Sequence, residues 1–194
     1  MKQSKIIMVG GWSLILFTFL YIGTQVYLKV FFNYPDVLHG PDKDVIPVFL
    51  SGGLHLAIML TLLSLLPLLL VPGSIGAYYA FKEESEGSML LALIFAMIAI
   101  LGFILCLMRW PSVNWYIALT YVQANDAERV VLSGLLLSLN TYLGTYLGGF
   151  LTSVCSSIWF FSYQCCHVAF TWFSKMDWLH GNNSRYLFIN RTAR

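Results

Sequence analysis

Charge is what this chain has least of: only 10% of its 194 residues are charged, against 58% hydrophobic. A soluble globular domain carries about 25% charged and about 45–50% apolar residues, so that class is excluded. The net charge of +2 is small and no basic run exists, which removes the electrostatic footprint of a nucleic-acid partner. Catalytic patterns are missing too. There is no G-x-S-x-G, no H-E-x-x-H and no phosphate-binding glycine loop, and too few paired acids, bases or nucleophiles to compose a catalytic set. The chain is therefore not read as an enzyme, and no cofactor is implied.

Cysteine is sparse and unpatterned. Cys106, Cys155, Cys165 and Cys166 form no C-x-x-C pair, and the first two lie in apolar segments, where a thiol behaves as a small hydrophobe. Cys165-Cys166-His167 suggests a metal or redox site, but adjacent cysteines are badly placed to share one ion and no second ligand pair follows. The acids Asp36, Asp42 and Asp44 with His39 are separated by prolines and read as a solvated loop. No metal site is assigned. Alanine is absent before Ala57, so no A-x-A cleavage site can follow Lys2 and Lys5, and the first apolar run is expected to remain as an uncleaved span.

What is present is long apolar runs, each of the length a helix needs to cross a bilayer. They predict an all-α integral membrane bundle over residues 1–164 with four transmembrane helices at about 6–29, 46–71, 88–108 and 130–160, followed by a polar tail over 165–194. Pro67 and Pro72-Gly73 are expected to kink or end the second helix, with IGAYYAF as its interfacial extension. The turn KEESEGS precedes the third helix, which is expected to stop at Arg109-Trp110-Pro111. Asn125 or Asp126 caps the fourth, with Glu128 in its first turn. Lys and Arg number seven on one side (Lys2, Lys5, Lys82, Lys175, Arg185, Arg191, Arg194) and four on the other (Lys29, Lys43, Arg109, Arg129), favouring a cytoplasmic N-terminus. Two sequons, at Asn182 and Asn190, then fall in a cytosolic tail and carry no glycan.

The fourth run contains Asn140, Gly144, Gly148, Thr152 and Ser156 at steps of four, along one side of a helix where another helix can approach closely. The stripe predicts a packing seam, between helices of one chain or between copies in a homo-oligomer, with Asn140 hydrogen-bonding across it. His55 is the one ionisable residue well inside an expected span. It suits a proton relay, a haem or metal ligand, a ligand contact or, equally, a neutral imidazole bonded to a neighbouring helix. Arg109 and Trp110 mark a membrane edge, the arginine snorkelling to the surface and the indole at head-group level.

On RWP, the YVQANDAER segment and LNTYLGTYLGGFLTSVCSSIW, residues 1 to about 162 resemble a family of uncharacterised multi-pass bacterial inner-membrane proteins of about six spans. The matching positions are Arg109, Pro111, Leu139, Asn140, Tyr142, Gly144 and, more loosely, Trp159. The resemblance implies a bacterial inner-membrane location and no assigned activity. The family often has an acid where Gly149 stands here. It would also supply two more helices after Gln164, where this chain reads CCHVAFTWFSKMDWLHGNNSRYLFINRTAR. Shifting the codons forward by one base from Met176 forces Trp, then Ile or Thr, then Gly, similar to the opening of the family's last helix. The tail is thus expected to be out of frame; the alternative is a true cytosolic tail with interfacial Trp172, Phe173 and Trp178. The function expected is that of a non-enzymatic multi-pass protein, structural or binding a lipid or small apolar ligand. The alternative is a transporter-like or cofactor-binding protein with an intramembrane pocket around His55 and Asn140.

Overall fold

The computed structural model describes residues 2–32 and 42–179. Within them the chain is helical almost throughout, as it must be where no water is available to satisfy backbone N–H and C=O groups. Helix α1 spans Lys2–Phe32. Next come α2 (Asp42–Ser51), α3 (Gly53–Leu65), a tight turn of helix at Leu66–Leu69 and α4 (Leu70–Phe81). The chain then forms α5 (Glu86–Met108), a π-helical turn at Trp110–Asn114 and α6 (Trp115–Gln123). It ends with α7 (Asp126–Leu139), a π-helical segment at Asn140–Leu151 and α8 (Thr152–Leu179). Four continuous rods are long and apolar enough to cross a membrane: Gln3–Phe32, Gly53–Phe81, Glu86–Gln123 and Asp126–Cys165. The protein is an all-α bundle with four such helices among the described residues, in keeping with its composition.

Several of the expected boundaries move. The second rod starts at Gly53 and not near Val45, because Gly53 takes a left-handed φ of 55° that ends α2 and turns the chain into α3. It also runs on to Phe81. Pro67 opens the tight turn, where its missing N–H costs nothing, so the prolines kink the rod without ending it. The third rod does not stop at Pro111 but continues to Gln123. The fourth begins at Asp126, capped by Asn125: its side chain accepts from the Glu128 N–H at 3.0 Å while Glu128 Oε2 accepts from the Asn125 N–H at 2.9 Å. Only Ala124 and Asn125 separate these two rods. Helix α8 carries the backbone to Leu179, past the expected end near 160. The frame and character of the tail turn on residues 180–194 and on side chains beyond Cys165, which lie outside the described residues.

The second and third rods are the inner ones, with 33% and 28% of their most apolar windows buried, against 6% for the first and fourth. Two apolar clusters hold them. One joins Leu28, Phe49, Leu56, Leu60, Trp110 and Leu136; the other joins Leu70, Met89, Ala92, Ala96, Ile100 and Trp159. Between α1 and α4 the backbones nearly touch. A Cβ added at Gly10 would lie 2.7 Å from the Pro72 carbonyl oxygen and 2.8 Å from Gly76 Cα. Beside it Ser13 donates to the Leu69 carbonyl at the proline kink. Gly11, the next residue, would meet nothing within 4 Å.

Gly10→Leu therefore forces these helices apart and destabilises the fold by about 1–3 kcal/mol, the range for an overpacked site. Gly11→Leu is near neutral. Thermal unfolding of the two variants in mild detergent checks the contrast, and equal melting of both contradicts the contact.

Candidate functional site

Pro111 creates the site. It has no N–H to donate and its ring crowds the preceding turn, so an α-helix through it would leave carbonyls of the turn before without partners. The chain widens by one residue here: the Asn114 N–H donates to the Arg109 carbonyl at 2.9 Å, five residues back. Side chains donate to other carbonyls of the same turn. Ser112 Oγ donates to the Met108 carbonyl and Arg109 Nη1 to the Cys106 carbonyl.

The arginine is held by the protein. It turns back across its own helix to the fourth rod. Its Nε donates to Asn140 Oδ1 at 3.0 Å, its Nη1 also lies 2.9 Å from Cys106 Sγ, and its guanidinium carbon is 5.1 Å from the Trp110 ring centre. Asn140 Oδ1 also accepts from Asn114 Nδ2 at 2.9 Å. One amide oxygen thus ties two donors of the third rod. Because that atom faces two N–H groups, the orientation of both amides is fixed. Asn114 is 2% exposed, and its own Oδ1 is buried with no hydrogen-bond partner.

Asn140 also opens the second π-helical segment, Asn140–Leu151, which closes with the Thr152 N–H on the Leu147 carbonyl. Thr152 Oγ1 donates to the same carbonyl at 2.8 Å. Two π-helical segments, on adjacent rods, thus meet at Arg109, Asn114 and Asn140. Such widened turns are rare and concentrate at functional positions.

The small-residue stripe is used within the chain. Gly144 lies under the Arg109 guanidinium, where a Cβ would stand 2.7 Å from Nη2. Gly148 packs on Cys106, and Thr152, 1% exposed, on Gly102. Ser156 Oγ lies further along, buried and without a partner. Asn140 does bond across the seam as its position predicts.

His55 belongs elsewhere. Its Nε2 and the Tyr27 hydroxyl of α1 are hydrogen-bonded at 2.9 Å, and its ring meets those of Tyr27 and Phe32 edge-on. It is an exposed imidazole bonded to a neighbouring helix, and among the described residues no hydrogen bond or ring contact joins it to Asn140. No group of three metal-ligating side chains occurs among the described residues. Cys166, His167, Asp36, His39, Asp42 and Asp44, considered above as ligands, have side chains outside that set.

Asn114 escapes a reading of the sequence that ends the helix at Pro111. The available signal was WPSVN itself: a proline with serine and asparagine at the head of a stretch, WYIALTYVQ, still apolar enough to stay helical. No family model, curated protein or solved structure matches the chain.

Asn140→Leu leaves Arg109 Nε and Asn114 Nδ2 without their acceptor and destabilises by about 1–3 kcal/mol. Asn140→Asp keeps the acceptor, adds an opposite charge beside Arg109 and is at least as stable as the parent. Unfolding of the two variants in detergent checks the order, and an Asn140→Asp protein weaker than Asn140→Leu contradicts the hydrogen-bond assignment.

Proposed function

We propose that this is a non-enzymatic integral membrane protein whose third and fourth helices bind a lipid or small amphiphile at Arg109, Asn114 and Asn140. The observation that carries the reading is unmet polar capacity at a built junction. A guanidinium, an amide oxygen without a donor and two widened helix turns converge where an apolar bundle would otherwise close on itself. Buried polar groups in a membrane protein are costly, and ionisable ones are functional candidates by default. A homo-oligomer through Gly144 and Gly148 would have to displace Arg109 and Cys106 from the seam, so binding is preferred to assembly as the purpose of the stripe.

The similarity to bacterial inner-membrane proteins at Arg109, Pro111, Leu139, Asn140, Tyr142 and Gly144 supports placing the chain in that membrane and among that family. The excess of Lys and Arg on the N-terminal side supports a cytoplasmic N-terminus. The alternative, a transporter-like or cofactor-binding pocket that includes His55, draws support only from the paired helix discontinuities, a feature of transporter binding sites.

Native mass spectrometry of the full chain extracted in mild detergent tests the choice. A retained lipid or amphiphile is expected on the parent and on His55→Ala, and is lost from Arg109→Gln. An adduct that survives in Arg109→Gln, or none on the parent, overturns the reading. Loss in His55→Ala transfers the site to the alternative.

A further inference from the structure

The junction has a charge to balance. Among the described residues, the groups that Arg109 touches are neutral: the Asn140 amide, the Cys106 carbonyl and thiol, and the Trp110 ring. Its remaining nitrogen, Nη2, lies over Gly144 and has no acceptor among the described residues. The one ion pair among those residues is Arg129 with Asp126, at the tip between the third and fourth rods. Glu86 opens the helix that carries Arg109, which at 1.5 Å per residue puts it about 34 Å away; Asp126 lies about 21 Å from Asn140 along α7. Neither reaches the guanidinium. A half-buried cation whose described partners are all neutral dipoles favours an anion beside it.

Position selects among anions. From Ser88, beside the polar turn at one face, to Met108 is about 30 Å of helix, the thickness of a hydrocarbon core. Arg109 therefore stands at head-group depth on the opposite face, with Trp110 beside it as interfacial indoles are. Glycine at 144 lets the guanidinium lie this close to the fourth rod, since a Cβ there would stand 2.7 Å from Nη2. The buried Asn114 Oδ1 is the second unmet group, and it needs a donor where Arg109 needs an acceptor.

Resting on the binding reading above, we infer that the ligand is an anionic phospholipid, its phosphate oxygens taken by Arg109 Nη2. A hydroxyl of its head group, or a water of hydration brought with it, supplies the donor for Asn114. A guanidinium matches phosphate oxygens in geometry as well as charge. The bilayer, not the solvent, delivers the ligand, because the node sits at the depth of lipid phosphates.

The test titrates the full-length protein in mild detergent with short-chain phosphatidylglycerol, short-chain phosphatidylcholine and soluble glycerol phosphate, following tryptophan fluorescence and thermal unfolding. The parent is expected to bind phosphatidylglycerol about tenfold more tightly than phosphatidylcholine, the scale of one charge-assisted contact. That preference disappears in Arg109→Gln, persists in Arg109→Lys and is unchanged in Arg129→Gln, which removes the same charge elsewhere. Equal binding of both lipids, weakened together by Arg109→Gln, overturns the anionic inference and leaves a lipid site. Glycerol phosphate binding as tightly as phosphatidylglycerol overturns the lipid source and keeps the anion. Saturable binding of none of the three overturns both readings.

Discussion

A break in a helix's ladder releases groups that, at the edge of a bilayer, are met from inside the protein or by water and head groups. Pro111 makes such a break, and the architecture around it follows from how the released groups are met. Widening to a π-helical turn lets the Asn114 N–H reach the Arg109 carbonyl, and that turn swings the Asn114 side chain toward the fourth rod. Arg109 folds back to the Cys106 carbonyl, and the same fold carries its Nε to Asn140. The fourth rod can only come this near because Gly144 and Gly148 face Arg109 and Cys106.

The two halves of the bundle are joined by different physics. Along α1 and α4 the contact is backbone against backbone at Gly10 and Gly76, with Leu14 seated on Gly73, the Ser13 hydroxyl on the Leu69 carbonyl and Gln3 Nε2 on the Tyr79 carbonyl. Between α5 and α8 small side chains, Ala92, Ala96 and Gly102, give way further along to the polar junction. Dispersion holds one seam and hydrogen bonds to an amide hold part of the other. Without a hydrophobic drive between helices in lipid, these are the two means available.

Much of the fold is legible in the residues because length and hydropathy alone decide which segments can span. The cap at Asn125 and Glu128 is equally local, four residues whose chemistry does not depend on the rest. Boundaries were less legible where local and tertiary preferences compete. Pro111 reads as a stop, yet a membrane helix can absorb a proline if side chains such as Ser112 and Arg109 donate to carbonyls of the same turn, and that depends on what stands opposite. Asn140 was readable as a bond across a seam, but its partners were not, since one of them, Asn114, lay beyond the expected end of the helix. Gly10 and Gly76 lie far apart in sequence with no shared spacing, so only the antiparallel pairing of their helices reveals them as one contact.

The pair of rods meeting at Ala124 and Asn125 extends well past that junction. From Arg109 to Gln123 and from Asp126 back to Asn140 the helices run about 21 Å each, joined at the far end by a tight turn with a reciprocal cap. Geometrically this is a stiff lever arm with its pivot at the two widened turns. A rotation of about 5° there, too small to notice among the packed side chains, carries the tip by nearly 2 Å over an arm of about 21 Å. An arm of that length turns a small rotation at the widened turns into a larger displacement at the tip.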